Sequence, residues 1–183
     1  NRSKMGATIS KGESLVQHDL NRGLEADYAL VAYGGNDSDY DWAAIDADPA
    51  GDHRPRTELP AFREKLRHTV TMLRERGIQP VLMSLPPIDA ARYLAFICRD
   101  GLRKERIMDW LGDVQMIYRH QEMYSDAVTQ LAYAEGLPLI PVREEFLNDH
   151  RLMRLIAADG IHLTMPGYER LFDTLADWLR IRV

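Results

Sequence analysis

Three short apolar runs punctuate the chain, and helical periodicity fills most of the space between them. The first run, residues 27–35 (Asp-Tyr-Ala-Leu-Val-Ala-Tyr-Gly-Gly), lacks polar alternation, the pattern of a strand covered on both faces. Gln79 to Leu85 repeats this design and stops at Pro86-Pro87. Leu137 to Val142 is the third run; Pro138 and Pro141 remove ladder donors, so an edge strand is expected there. From Leu59 to Arg76, the residues Phe62, Leu66, Val70 and Leu73 recur at three and four, which predicts a helix closed by Gly77. The same spacing predicts helices over 114–134, closed by Gly136, and over 166–179, with Leu171, Leu175 and Trp178 or Leu179 inward. A short helix over 15–24, ending near Gly23, and shorter helices within 88–112 complete the pattern. Strand alternating with helix means βα crossovers, hence an α/β fold with a mostly parallel sheet. Ligands of such sheets sit at the carboxyl ends of the strands, so the residues after each run carry the search for chemistry.

Composition narrows the classes. The chain has 183 residues, 45% hydrophobic and 28% charged, enough core for one domain over 1–183. No repeat or low-complexity tract is present, and no apolar run approaches the roughly 18 residues of a membrane span. A net charge of −5 gives no electrostatic footprint for nucleic acid or anionic lipid. The single cysteine, Cys98, excludes an internal disulfide and a multi-cysteine metal site, and fits a reducing, cytoplasmic setting.

Three segments carry candidate chemistry. Gly34-Gly35-Asn36-Asp37 ends the first run; the glycines allow a sharp turn and Asn36 can present an amide donor, although Asx-type turn bonds explain the same residues. Asp159-Gly160-Ile161-His162 lies just before the last helix. At that spacing a carboxylate can hold the imidazole Nδ1–H and free Nε2 as a base. Thr164 as N-cap and Pro166 in the first turn describe a helix entry at the same place. Residues 1–10 read as a strand end turning at Gly6, whose backbone N–H is open to a ligand.

Taken together, these segments resemble the SGNH (GDSL-type) hydrolases. The match covers a second block at Asn1 to Gly6, a Gly-x-Asn-Asp block at Gly34 to Asp37 and an Asp-x-x-His block at Asp159 to His162, in order and in register over the whole chain. The resemblance implies a three-layer α/β/α sandwich of flavodoxin-like type, no cofactor, and serine esterase chemistry on a small-molecule ester. His162 and Asp159 would be catalytic, and Gly6 and Asn36 would form the oxyanion hole; Asp37, Tyr40 and Trp42 are candidates to line the substrate pocket, with packing of the two aromatics against the next helix an equal expectation. The family's Gly-Asp-Ser block is not among these residues, and the expectation is that the nucleophile lies upstream of Asn1, on a central N-terminal strand whose loss leaves ladder groups unpaired and the core open to water. Gly12-Glu13-Ser14 imitates it on the wrong side of Gly6, so Ser14 is expected on a helix surface. Ser10, Ser38 and Ser84 also lack the context; Ser84, at a strand end, is the remote alternative. A fold retained as a non-catalytic binding module is the competing function.

The remaining motifs favour bland readings. Asp37, Asp39 and Asp41 resemble the opening of a calcium loop, but Trp42 replaces its glycine and Asp48 its glutamate, so a solvated acidic loop without metal is expected. The connections 38–58 and 86–113 are long enough for lids. Arg119, His120 and Glu122 are expected on a solvated helix face, His18, His53, His68 and His150 at the surface, and Cys98 within a short helix.

Overall fold

A computed structural model describes residues 2–182. The elements run α1 (Ile9–Asn21), β1 (Tyr28–Val31), α2 (Trp42–Ala47), α3 (Leu59–Arg74), β2 (Gln79–Met83), α4 (Ala90–Cys98), α5 (Lys104–Leu111), α6 (Gln115–Ala134), β3 (Leu139–Ile140), α7 (Val142–Leu147), a 3-10 turn at Leu152–Arg154, and α8 (Met165–Arg182). Contacts divide the chain into two compact units, each assembled from three separated stretches.

The first unit comprises Asn1–Asp39, Arg54–Leu85 and Met123–Ile140. Its sheet has the order β1-β2-β3 and is parallel throughout. Tyr28 to Val31 pair with Gln79 to Leu82, and Leu82 and Met83 pair with Leu139 and Ile140. Central strand β2 tolerates Pro80 for a local reason. Gln79 donates toward β1, to Asp27, and Leu82 donates toward β3, to Pro138. Pro80 therefore faces the β3 side one step before that pairing begins, and its missing N–H costs no ladder bond. Phe62, Leu66, Val70 and Leu73 of α3 form the core with Leu82 and with Tyr124 and Val128 of α6, all buried. The Phe62 and Tyr124 rings lie 5.1 Å apart.

Two expectations are corrected in this unit. The first apolar run forms only a four-residue strand, and Tyr28 and Leu30 are each 49% exposed. Among the described residues β1 pairs only with β2. The first helix starts at Ile9, six residues earlier than its periodicity suggested. Gly12 looks like a breaker in sequence, yet it lies inside α1 because the Tyr33 ring packs there, 2.3 Å from where a Cβ would stand. The Ser14 hydroxyl, on the exposed side of this helix, donates to the Ser10 carbonyl at 3.0 Å.

The second unit comprises Tyr40–His53, Pro86–Glu122 and Pro141–Val183. Its core gathers Trp42 and Ile45 of α2, Tyr93 and Leu94 of α4, Ile107 of α5 and Ile117 of α6. The 38–58 connection is thus partly helical: Asp41 caps α2 by accepting from the Ala44 N–H at 3.0 Å. Arg103, at the start of α5, holds the Asp46 carboxylate with Nε and Nη2, each at 3.0 Å to an oxygen. No helix among the described residues is long and apolar enough to cross a membrane.

Candidate active site

In the first unit, the segment after β1 turns at Gly34, whose φ is +132°. A Cβ there would stand 2.8 Å from Leu85 Cδ1, so both the dihedral and the packing require glycine. Asp37 follows, fully buried. Its two carboxylate oxygens accept the Ile9 N–H at 2.9 and 3.1 Å. Thr8, the N-cap residue of α1, makes no side-chain cap bond; Asp37 supplies the cap from 28 positions away. This corrects the substrate-pocket role expected for Asp37, whose oxygens are turned inward. Burial pushes the Asp37 carboxyl above its ordinary value of 3.8, against hydrogen bonds from Thr57, Ile9 and Gly34 that favour the charged form.

The Asp37 cap also brings two of the sequence blocks together, because Ile9 lies three residues after Gly6. Gly6 sits in an exposed turn at φ +72° with open space around it. Asn36 is half-buried, and no hydrogen bond to another described residue engages its carboxamide. The Asx-turn explanation of this residue therefore fails, and its two amide donors remain available.

Replacing Asp37 by alanine is expected to cost about 1–3 kcal/mol of folding stability, because the lost cap leaves the buried Ile9 N–H unpaired. Denaturant unfolding would measure it. The sign of its pH dependence follows from the raised pKa: the folded state holds this proton more tightly than the unfolded chain. This group's stability contribution is therefore fully present below its ordinary value and is lost as pH rises through the raised one. The alanine variant should lack that decline.

The second unit carries the acid–base candidates. The Asp159 Oδ1 accepts the N–H groups of Ile161 and His162, each at 3.0 Å, and Oδ2 lies 2.8 Å from His162 Nδ1. Burial raises the Asp159 carboxyl, but the His162 N–H, the imidazole and the Ile161 N–H outweigh it, so its pKa lies below the ordinary value. The carboxylate thus stays ionised beside Nδ1 and fixes the ring tautomer. The His162 side chain is 62% exposed, with Asp159 on its Nδ1 side. Helix entry coexists with this arrangement: the Thr164 hydroxyl accepts from the Gly167 N–H at 3.2 Å and donates to the Arg154 carbonyl at 2.7 Å.

Tyr40 and Trp42 join an aromatic cluster of the second unit that their sequence context does not reveal. Trp42 is buried, with its ring 6.1 Å from Tyr93 and its Nε1–H directed to the Tyr93 hydroxyl at 3.3 Å. It is a core residue of α2, the packing alternative and not the pocket role. Tyr40 is half-buried, 4.8 Å from Trp110 between ring centres, and its hydroxyl shares a 3.0 Å hydrogen bond with His120 Nε2. Burial pushes the Tyr40 phenol up to about 12. His120 is therefore not on a solvated face, and His53 likewise packs its ring 5.7 Å from Trp110. Among the acidic run, Asp37 and Asp41 cap helices, and Asp39 and Asp46 pair with Arg56 and Arg103, while Asp41, Asp48 and Asp52 stay exposed, so the loop is solvated only in part. Among the described residues no cluster of three or more His, Cys, Asp or Glu side chains is arranged to hold a metal ion. Ser84 is buried with its hydroxyl toward the Ile140 carbonyl, and burial raises the Cys98 thiol, so neither presents a ready nucleophile.

Comparison with known proteins fits this arrangement. The model of the GDSL-like lipase/acylhydrolase family matches residues 1–170. The chain belongs to that family. An isoamyl acetate-hydrolyzing esterase from Saccharomyces cerevisiae is 23% identical over 118 residues, which are 64% of this chain and 46% of that esterase. The matched stretch thus spans about half the length of this curated relative. A lipase/acylhydrolase from Enterococcus faecalis superposes with a TM-score of 0.62 at 18% identity, covering 97% of this chain and 72% of the other. A catalytic mutant of an acetylxylan esterase from Geobacillus stearothermophilus gives a TM-score of 0.66 at 17% identity, covering 94% and 68%. The fold class is accordingly α/β, of the three-layer α/β/α type with a parallel sheet.

Proposed function

We propose that the protein hydrolyses carboxylic esters through an acyl-enzyme formed on a serine, with acyl or acetyl esters of small polar or carbohydrate alcohols as substrates. The observation that carries this reading is the Asp159–His162 pair, 2.8 Å apart, with no further side-chain partner at the imidazole among the described residues. His162 takes the proton of the attacking hydroxyl and returns it to the leaving alcohol, while Asp159 orients the ring and stabilises the imidazolium. The Gly6 N–H and the Asn36 carboxamide donate to the oxyanion as it develops. Family membership and the esterases among the relatives support this chemistry. The alcohol preference rests on the acetylxylan esterase neighbour.

A fluorophosphonate probe applied to the protein as expressed from its gene tests the serine mechanism. Covalent labelling that disappears in His162→Ala is expected. A folded protein that takes up no label would favour a binding module that keeps the fold without the reaction.

A further inference from the structure

We propose that Asp89 and Arg92 form a clamp that sets the position of the Asp159–His162 pair, which makes Arg92 a positioning residue for the imidazole; this rests on the ester-hydrolase reading. Asp89 is the N-cap of α4, and its Oδ1 accepts the N–H groups of Ala91 and Arg92. Its own backbone N–H donates to the Gly160 carbonyl at 2.8 Å, in the middle of the Asp-x-x-His segment. The Asp89 Oδ2 lies 3.4 Å from Arg92 Nε and steers the guanidinium. Arg92 Nη1 then donates to two carbonyls of the same loop, Met153 at 3.0 Å and Ile156 at 2.8 Å.

The loop is closed on itself between these anchors. Ile156 bridges Leu163, and the Ala157 N–H donates to the His162 carbonyl at 2.8 Å. Gly160 permits the approach: a Cβ there would stand 2.5 Å from both the Asp89 carbonyl oxygen and the Tyr93 nitrogen. The backbone on each side of Asp159 is therefore pinned to the first turn of α4. A misplacement of about 1 Å in a reacting group costs on the order of 10²-fold in rate, so a loop this small needs such anchors. A guanidinium suits the task because its planar donors reach two carbonyls and a carboxylate together, whereas an ammonium is a single point.

The test compares Arg92→Gln, Arg92→Lys and Arg92→Ala in the full protein with Arg74→Ala, which removes a surface guanidinium bonded to Glu135 in the other unit. Expected for Arg92→Gln and Arg92→Ala is a fall in kcat of about tenfold or more at little-changed KM, with partial recovery in Arg92→Lys. Amide exchange over residues 156–163 should quicken in step, and Arg74→Ala should change neither quantity. A merely stabilising arginine would lower Tm and leave kcat per folded molecule alone. Should Arg92→Ala fail to fold, the glutamine and lysine variants decide. Folded Arg92→Gln with the parent kcat and parent exchange overturns the proposal. A parent that hydrolyses no ester counts against the proposed function instead, and the exchange measurement then decides the clamp.

Discussion

His162→Ala is expected to lower kcat for ester hydrolysis by a factor on the order of 10⁴ or more, the largest effect of any single substitution named here. In the proposed mechanism the imidazole does two jobs in sequence, accepting the nucleophile's proton and delivering it to the alcohol, so no neighbour replaces it. The geometry supports both. Asp159 holds Nδ1 at 2.8 Å, and two backbone N–H groups at 3.0 Å hold Asp159. The carboxyl of Asp159 lies below its ordinary value, so it remains an anion at the pH values where a neutral imidazole acts as base. Folding should be nearly untouched, because the side chain is 62% exposed. Initial rates on a chromogenic acetate ester, with Tm as the control, provide the measurement. Retention of more than a tenth of the parent rate would remove His162 from the reaction.

The second large effect is expected at Asn36. Alanine there should cost about 10²–10³ in kcat, the usual loss for one oxyanion donor, with KM little changed. A donor aimed at developing charge does more for the transition state than for the neutral carbonyl, which separates kcat from KM. The structure gives Asn36 the freedom this role needs: it is half-buried, and no described residue takes its carboxamide. Its neighbour makes the contrast. Asp37, one position on, is buried with its oxygens engaged, so alanine at 37 should act on stability. A pair of variants one residue apart, one kinetic and one structural in effect, is a sharp check of the site. Equal loss of kcat and Tm in both would refute the division.

Much of this was legible along the chain, and the limits have identifiable causes. The α3 stripe appears in sequence because Phe62, Leu66, Val70 and Leu73 repeat with the helix turn, and all four are buried. The Asp159–His162 pair was legible because a three-residue spacing is a local geometry. The start of α1 was not, since its cap comes from Asp37 rather than from Thr8. His120 read as a surface residue until Tyr40 came within hydrogen-bond reach of it, and only the tertiary structure chose packing over a pocket role for Trp42.

By itself, then, the sequence determined the succession of strands and helices, the Asp159–His162 contact and the presence of the family's blocks, all features carried by residues a few positions apart. Tertiary structure alone decided which carboxylates are engaged as caps, which aromatics are core, and what holds the Asp-x-x-His loop in place. The reason is the range of the forces involved. Periodicity and short spacings are set by backbone geometry within a turn or two, while burial and hydrogen-bond partnership depend on which distant segments meet, as Arg92 meets Met153 and Ile156 more than sixty residues away.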